Sequence, residues 1–479
     1  MTIDGSSIVR LREYLQCLSP EARAKLIAEL ELAQLRGENV AGSELVLREL
    51  RQTIRSVGQP VPRIGDAARR FFMPLEPLLT DGPADHKRLG RIARISLEPI
   101  WQWICRDLMP AEANAFSHDI NRALLAGDGV KVEQMTRALH DRSIQHMNAA
   151  IAAAESDEKA RRRFSVQVGT PRAVEDVTTL AHILAIRDVL GDVARRLPDQ
   201  FRMFEIEHAP QVKALFDSFS AEKSAAFAAP QRSDILLYGL IIVSNRMAAP
   251  WQLLRLATFA AETDETARIA ATPYAVAVKI VLSDLEYAVS ELRSELKVGR
   301  PVAALLKTLH DGARGMRTEM DLSADSPWSR RLASIRSAVA NMLTAEIETT
   351  PGRVRRLLRP RPAKEIVAGS LLDAIDVQEV ETRIELIAAC RHYGGELAVS
   401  EVTLRTYSEI TQYLETGTRI LLDALRHADE AERPFRHSQL DAAIRFCRSV
   451  FSPDYAALLA KAVDVALQGG APDRRAARA

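Results

Sequence analysis

Three His-Asp dipeptides, His118-Asp119, His140-Asp141 and His310-Asp311, are the residues of this chain best suited to chemistry. A neutral imidazole and a carboxylate can share a divalent cation, and a cation so held lowers the pKa of a bound water until it becomes a nucleophile. In chain order, His118, His140 and Asp141, with Asp176 or Asp188 as a last ligand, would supply enough donors for such a centre. A second arrangement, Glu205 and His208 in "FEIEH", has the Glu-x-x-His spacing that places two ligands on one helical face.

All-helical metal-dependent phosphohydrolases of the HD family use an upstream His, a His-Asp pair and a later Asp. The stretch "TLHDGARG" (308–315) resembles that family locally, but no histidine lies within the hundred residues before His310. "ALHDRSIQH" (138–146) lacks the small residues that follow the pair, and "FEIEH" has no second copy, which a di-metal helical site needs. A phosphate-cradling Gly-rich loop, a dinucleotide fingerprint, a nucleophile elbow and a paired-cysteine zinc site are all missing from the sequence. The expectation is therefore a chain without catalysis, cofactor or metal, and a helical phosphohydrolase built on His118, His140 and Asp141 is the enzymatic alternative.

One charged element stands out. "PGRVRRLLRPRPAK" (351–364) carries Arg353, Arg355, Arg356, Arg359, Arg361 and Lys364 and no acid, in a chain whose net charge is only +1. Thr350-Pro351 reads as a helix start, Val354, Leu357 and Leu358 give one apolar side, and Pro360 and Pro362 end the helix after about two turns. The segment is expected to be a linker, first of all a solvated hinge whose arginines pair with acids of neighbouring helices. Binding an acidic protein partner comes next, ahead of anionic lipid and nucleic acid, since no aromatic interleaves the arginines to hold bases.

The elements that must position these residues read as helices throughout. Ser or Thr precedes Pro at 19, 170, 272, 326, 350 and 452, where a hydroxyl can cap free amides and proline fits the first helical position. Val278, Leu282, Leu285, Val289, Leu292 and Leu296 step by three and four along a helix that Gly299 ends. Two similar faces follow, Val302 to Met320 and Trp328 to Met342, so residues 273–349 are expected to form an antiparallel three-helix bundle with its seam inside one chain. Only 163–169 and 203–208 look strand-like. The aromatics Phe71, Phe72, Trp101 and Trp103 are expected in a core rather than in a base-stacking platform.

At 479 residues, with 47% hydrophobic and 27% charged, the chain is expected to be an all-α, multi-domain globular protein. The divisions drawn are an N-terminal helical domain (1–155), a central one (171–350), the basic linker (351–364) and a C-terminal helical domain (365–470). Lys+Arg at 64 against Asp+Glu at 63 excludes a bulk nucleic-acid binder. Four well-separated cysteines, Cys17, Cys105, Cys390 and Cys447, suit reduced thiols and a cytoplasmic location. Arginine and alanine usage fits a GC-rich bacterial genome. The longest apolar run, Ile235 to Val243, is too short to span a membrane. By elimination, the expected function is that of an adaptor or scaffold acting through a protein partner.

Overall fold

A computed structural model describes residues 66–82, 87–205, 207–221 and 229–469, together with positions 26, 29, 30, 43, 46 and 47. Cys17, the Ser19-Pro20 start, most of residues 43–56 and all beyond 469 lie outside the described residues. Among these residues the chain is all-α: eighteen α-helices stand against two strands of two residues, β1 (Leu79–Thr80) and β2 (Ile92–Ala93), which pair in parallel. No helix among them is long and apolar enough to cross a membrane.

The helices are α1 (Asp66–Phe72), α2 (Leu97–Trp103), α3 (Pro110–Leu125), α4 (Gly129–Ala154), α5 (Glu158–Val168), α6 (Ala173–Ala185), α7 (Arg187–Arg196), α8 (His208–Ala221) and α9 (Ala229–Asn245). They continue as α10 (Leu254–Ala261), α11 (Thr266–Ala270), α12 (Ala275–Val298), α13 (Ala303–Glu319), α14 (Pro327–Leu358), α15 (Ala374–Tyr393), α16 (Ser400–Arg426), α17 (Arg433–Val450) and α18 (Pro453–Gly469). The chain divides into two compact units, Met1–Arg196 with Phe227–Gly239, and Leu197–Ala226 with Leu240–Ala479. The segments 155–171 and 351–364, drawn as boundaries from the sequence, each lie inside a unit.

In the first unit α4 packs on α3, α5 and α6. Asp128 and Asp157 start α4 and α5 by accepting from the Lys131 and Ala160 amides at 3.0 and 2.7 Å. The stretch 163–169 is not a strand. Phe164, Val166 and Val168 alternate like one, but α5 buries Phe164 and Val168, four apart, and leaves Val166 in solvent before Gly169 closes the helix at φ 80°.

In the second unit Met203 to Glu205 is likewise not a strand: the Phe204 amide donates to Gln252 Oε1 at 2.8 Å and its carbonyl accepts from Arg255, so side chains satisfy what a neighbouring strand would. The seam helix α12 ends at Gly299 as expected, with Leu285 and Leu292 buried. It packs on α13 and α14, and a fourth helix joins them, because α15 packs on both α13 and α14. Residues 273–349 are thus part of a larger set, and α14 and α15 also pack on α16 and α17.

The hydroxyls of Ser326 and Ser452 cap α14 and α18 by accepting from Ser329 and Tyr455 at 3.0 and 3.1 Å. Thr350-Pro351 starts nothing: it lies inside α14, which runs through the proline to Leu358. Proline in a helix interior costs about 3 kcal/mol. Here the buried stripe Val339, Leu343, Ile347, Thr350, Val354 and Leu357 continues through it, and that burial outweighs the penalty.

Candidate functional site

The three His-Asp pairs do not meet. His118 lies exposed on α3, its Nδ1 3.4 Å from its neighbour Asp119. His140 points into the first unit's core, where Nε2 donates to the Phe71 carbonyl at 2.8 Å and the ring lies edge-on to the Phe71 ring. Burial lowers its pKa to about 4, with the Phe71 hydrogen bond opposing the shift. Asp141, one residue on, faces outward to Arg187 at 2.9 Å. Adjacent residues on a helix diverge by about 100°, so a buried His140 forces Asp141 away from it. The phosphohydrolase site expected as the alternative from His118, His140 and Asp141 is therefore not assembled. Among the described residues no three His, Cys, Asp or Glu side chains gather where they could hold one metal ion.

The third pair has a packing role. His310 Nδ1 lies 3.2 Å from the Tyr393 carbonyl, and Asp311 pairs with Lys307 one turn back. The two glycines that give "TLHDGARG" its family-like look are notches in α13: a Cβ on Gly312 would meet Leu285 at 2.5 Å, and one on Gly315 would meet the Trp251 ring at 2.3 Å. Glu205 and His208 are joined through the backbone, the Glu205 amide donating to His208 Nδ1 at 3.1 Å while the ring stacks on Phe204. Phe71, Phe72 and Trp103 are buried, and Trp101 packs on Phe71, Phe72 and Phe116, which makes the aromatic cluster core.

Sequence reasoning missed one polar cluster of the first unit. Asp176, buried on α6, receives Lys87 Nζ at 2.9 Å, and Lys87 also reaches Thr179. Tyr238 on α9 bonds to Thr179, and burial raises its pKa. His182 pairs with Asp234 at 3.3 Å, and that hydrogen bond holds the imidazole above the usual histidine range. These residues stand at 87, 176 to 182 and 234 to 238, with no local signal linking them. Each polar group in the cluster is engaged by another, so it holds α6 and α9 together.

The basic segment is a fixed part of the second unit. Arg353 pairs with Glu379 of α15, and Arg355 with Glu409 of α16 while lying over the Tyr413 ring. Arg359 pairs with Glu365 at 2.7 Å, and the Arg361 guanidinium sits 4.8 Å from the Phe435 ring centre. Arg383 bridges Glu346 and Glu379, which extends the charge network along α14 and α15. The end of α14 is satisfied by buried Gln439, whose Nε2 donates to the Leu357 and Arg359 carbonyls at 3.0 Å each. The linker reading of 351–364 is corrected accordingly: residues 351–358 are helix, and 359–364 begin a strap tied to α17. Pairing with neighbouring acids, which the hinge reading required, is present, and here it fixes the segment in place.

The strap continues to residue 375. Arg436 donates to the Arg361 carbonyl at 3.2 Å, Ser438 Oγ accepts from the Leu372 amide at 3.1 Å, and Asp373 caps α15 through the Ile375 amide. On this tethered backbone Val367, Leu371 and Ile375 are 74, 65 and 78% exposed. Arg356 and Lys364 are exposed too, and neither side chain has a partner among the described residues. Cys390 and Cys447, by contrast, are buried, and burial pushes both thiols up to about 12, which leaves them inert. No protein-family model, curated protein or solved structure matches this chain.

Proposed function

We propose that this chain is an adaptor whose strap, residues 359–375, receives a protein partner. The observation that carries this reading is the outward display of Val367 and Leu371 on a loop whose backbone is bonded to α17, followed by exposed Ile375 in the first turn of α15. Apolar side chains held out on a fixed backbone lose little entropy on binding, and grouped exposed apolar residues mark contact surfaces. Arg356 and Lys364 select the partner's chemistry: an apolar segment with acidic flanks. Four of the six cations are engaged within the chain, which leaves two for phosphate and a salt slope of only about −2 for nucleic acid. That favours protein over nucleic acid or a lipid surface. His140 and His310 serve in packing, and Asp141 and Asp311 in ion pairs, which favours an adaptor over an enzyme.

A photo-crosslinking residue at Leu371, introduced into the protein in its own cells, tests the reading. A discrete crosslinked protein is expected from position 371 and not from exposed Glu415 on α16. Equal, diffuse labelling at the two positions would reject the strap as a docking face.

A further inference from the structure

We propose that α18 carries a self-complementary face on which two copies of this chain pair about a two-fold axis. The helix packs on α16 and α17 through Ala456, Val463 and Ala466, all buried. On the opposite side Leu458 and Val465, one heptad apart, are each 66% exposed. Lys461 and Asp464 stand between them, also exposed. Although three residues apart, they do not pair with each other, and neither has a partner among the described residues.

An antiparallel second copy of α18, centred near residue 462, sets Leu458 against Val465 of that copy and Lys461 against its Asp464. The two-fold axis repeats both contacts. Ala457 and Ala462 beside the line of contact let the helices approach. This charge arrangement selects a second copy over a partner of other chemistry: one cation and one anion, standing between two apolar groups, complement themselves when reversed. A single 17-residue helix offers less than the roughly 1,200 Å² of a stable interface, so the dimer is weak and depends on concentration.

Sedimentation equilibrium of the full chain at low salt, from roughly 1 to 200 µM, suits an interface of this strength. The wild type is expected to shift from monomer to dimer across that range, and Val465→Glu to stay monomeric with an unchanged melting temperature. Lys461→Asp and Asp464→Lys should each weaken association by about tenfold, because like charges then face each other twice. Mixed in equal amounts, the two variants should recover it, since each supplies the charge the other lacks. A wild type that stays monomeric throughout, a dimer indifferent to Val465→Glu, or a mixture no stronger than its components would overturn the proposal.

Discussion

The two units differ in the balance between buried and exposed polar groups. In the first, a few polar side chains are buried and join elements far apart in sequence: Lys87 with Asp176, and His140 with the Phe71 carbonyl. In the second, long helices are laced by many ion pairs open to solvent, such as Arg355 with Glu409 and Arg405 with Glu348, beside the buried Gln439. A buried polar group left without its partner costs several kcal/mol, whereas an exposed pair contributes about 0 to 1 kcal/mol. The first unit is therefore expected to fail through single polar losses and through acid, and the second through its apolar packing.

Among the polar changes, the largest effect is expected at Asp176. Lys87→Ala strands its carboxylate in the core and should destabilise the first unit by about 3 kcal/mol, read by denaturant unfolding. Lys87→Met with Asp176→Leu should recover most of that loss, because no charge is then left buried. A single variant as stable as the wild type would show that the pair does not matter.

Acid should act through His140. Its pKa in the folded state, about 4, lies below the ordinary 6.5, so the unfolded chain binds the proton more readily. The contribution is intact above pH 6.5 and is lost as pH falls from 6.5 toward 4, to a total of about 3 kcal/mol. His140→Gln should flatten the pH dependence of the melting temperature in that window. His182 works with the opposite sign: Asp234 raises its pKa, so its smaller contribution is present at low pH and is lost as pH rises through the raised value.

In the second unit Gly315→Ala should cost about 1 to 3 kcal/mol, because the new methyl group meets the Trp251 ring. Leu285→Ala should cost about 2 to 5 kcal/mol, since Leu285 is buried in the seam of α12. At the small end, Arg405→Gln removes an exposed pair and should change stability by under about 1 kcal/mol, less at high salt. An effect as large as that at Lys87 would erase the distinction between the units.

Local signals in the sequence located the helices well. The three-and-four stepping of Val278 to Leu296, the Gly299 stop and the Ser326 and Ser452 caps all depend on near neighbours, and all are found in the fold. Thr350-Pro351 misled because its local preference is that of a helix start, while the apolar stripe from Val339 to Leu357 is decided by packing on α15 and α16. The candidate site was legible only as a charge run. That Arg353 and Arg355 are paired while Arg356 is not depends on Glu379 and Glu409, and the tether of the strap on Arg436, Ser438 and Gln439. Those partners lie about 25 to 80 residues away, and no spacing rule reaches that far.

The paired and unpaired cations of one short segment supply the most direct measurement. Arg356→Gln with Lys364→Gln should leave the melting temperature unchanged and reduce crosslinking from position 371 severalfold, since neither side chain has a partner among the described residues. Arg353→Gln with Arg355→Gln should do the reverse, lowering the melting temperature by a few degrees and leaving the crosslink intact. If the Arg356 and Lys364 pair of changes destabilises the fold while crosslinking persists, the strap is a structural tether alone and the adaptor reading fails.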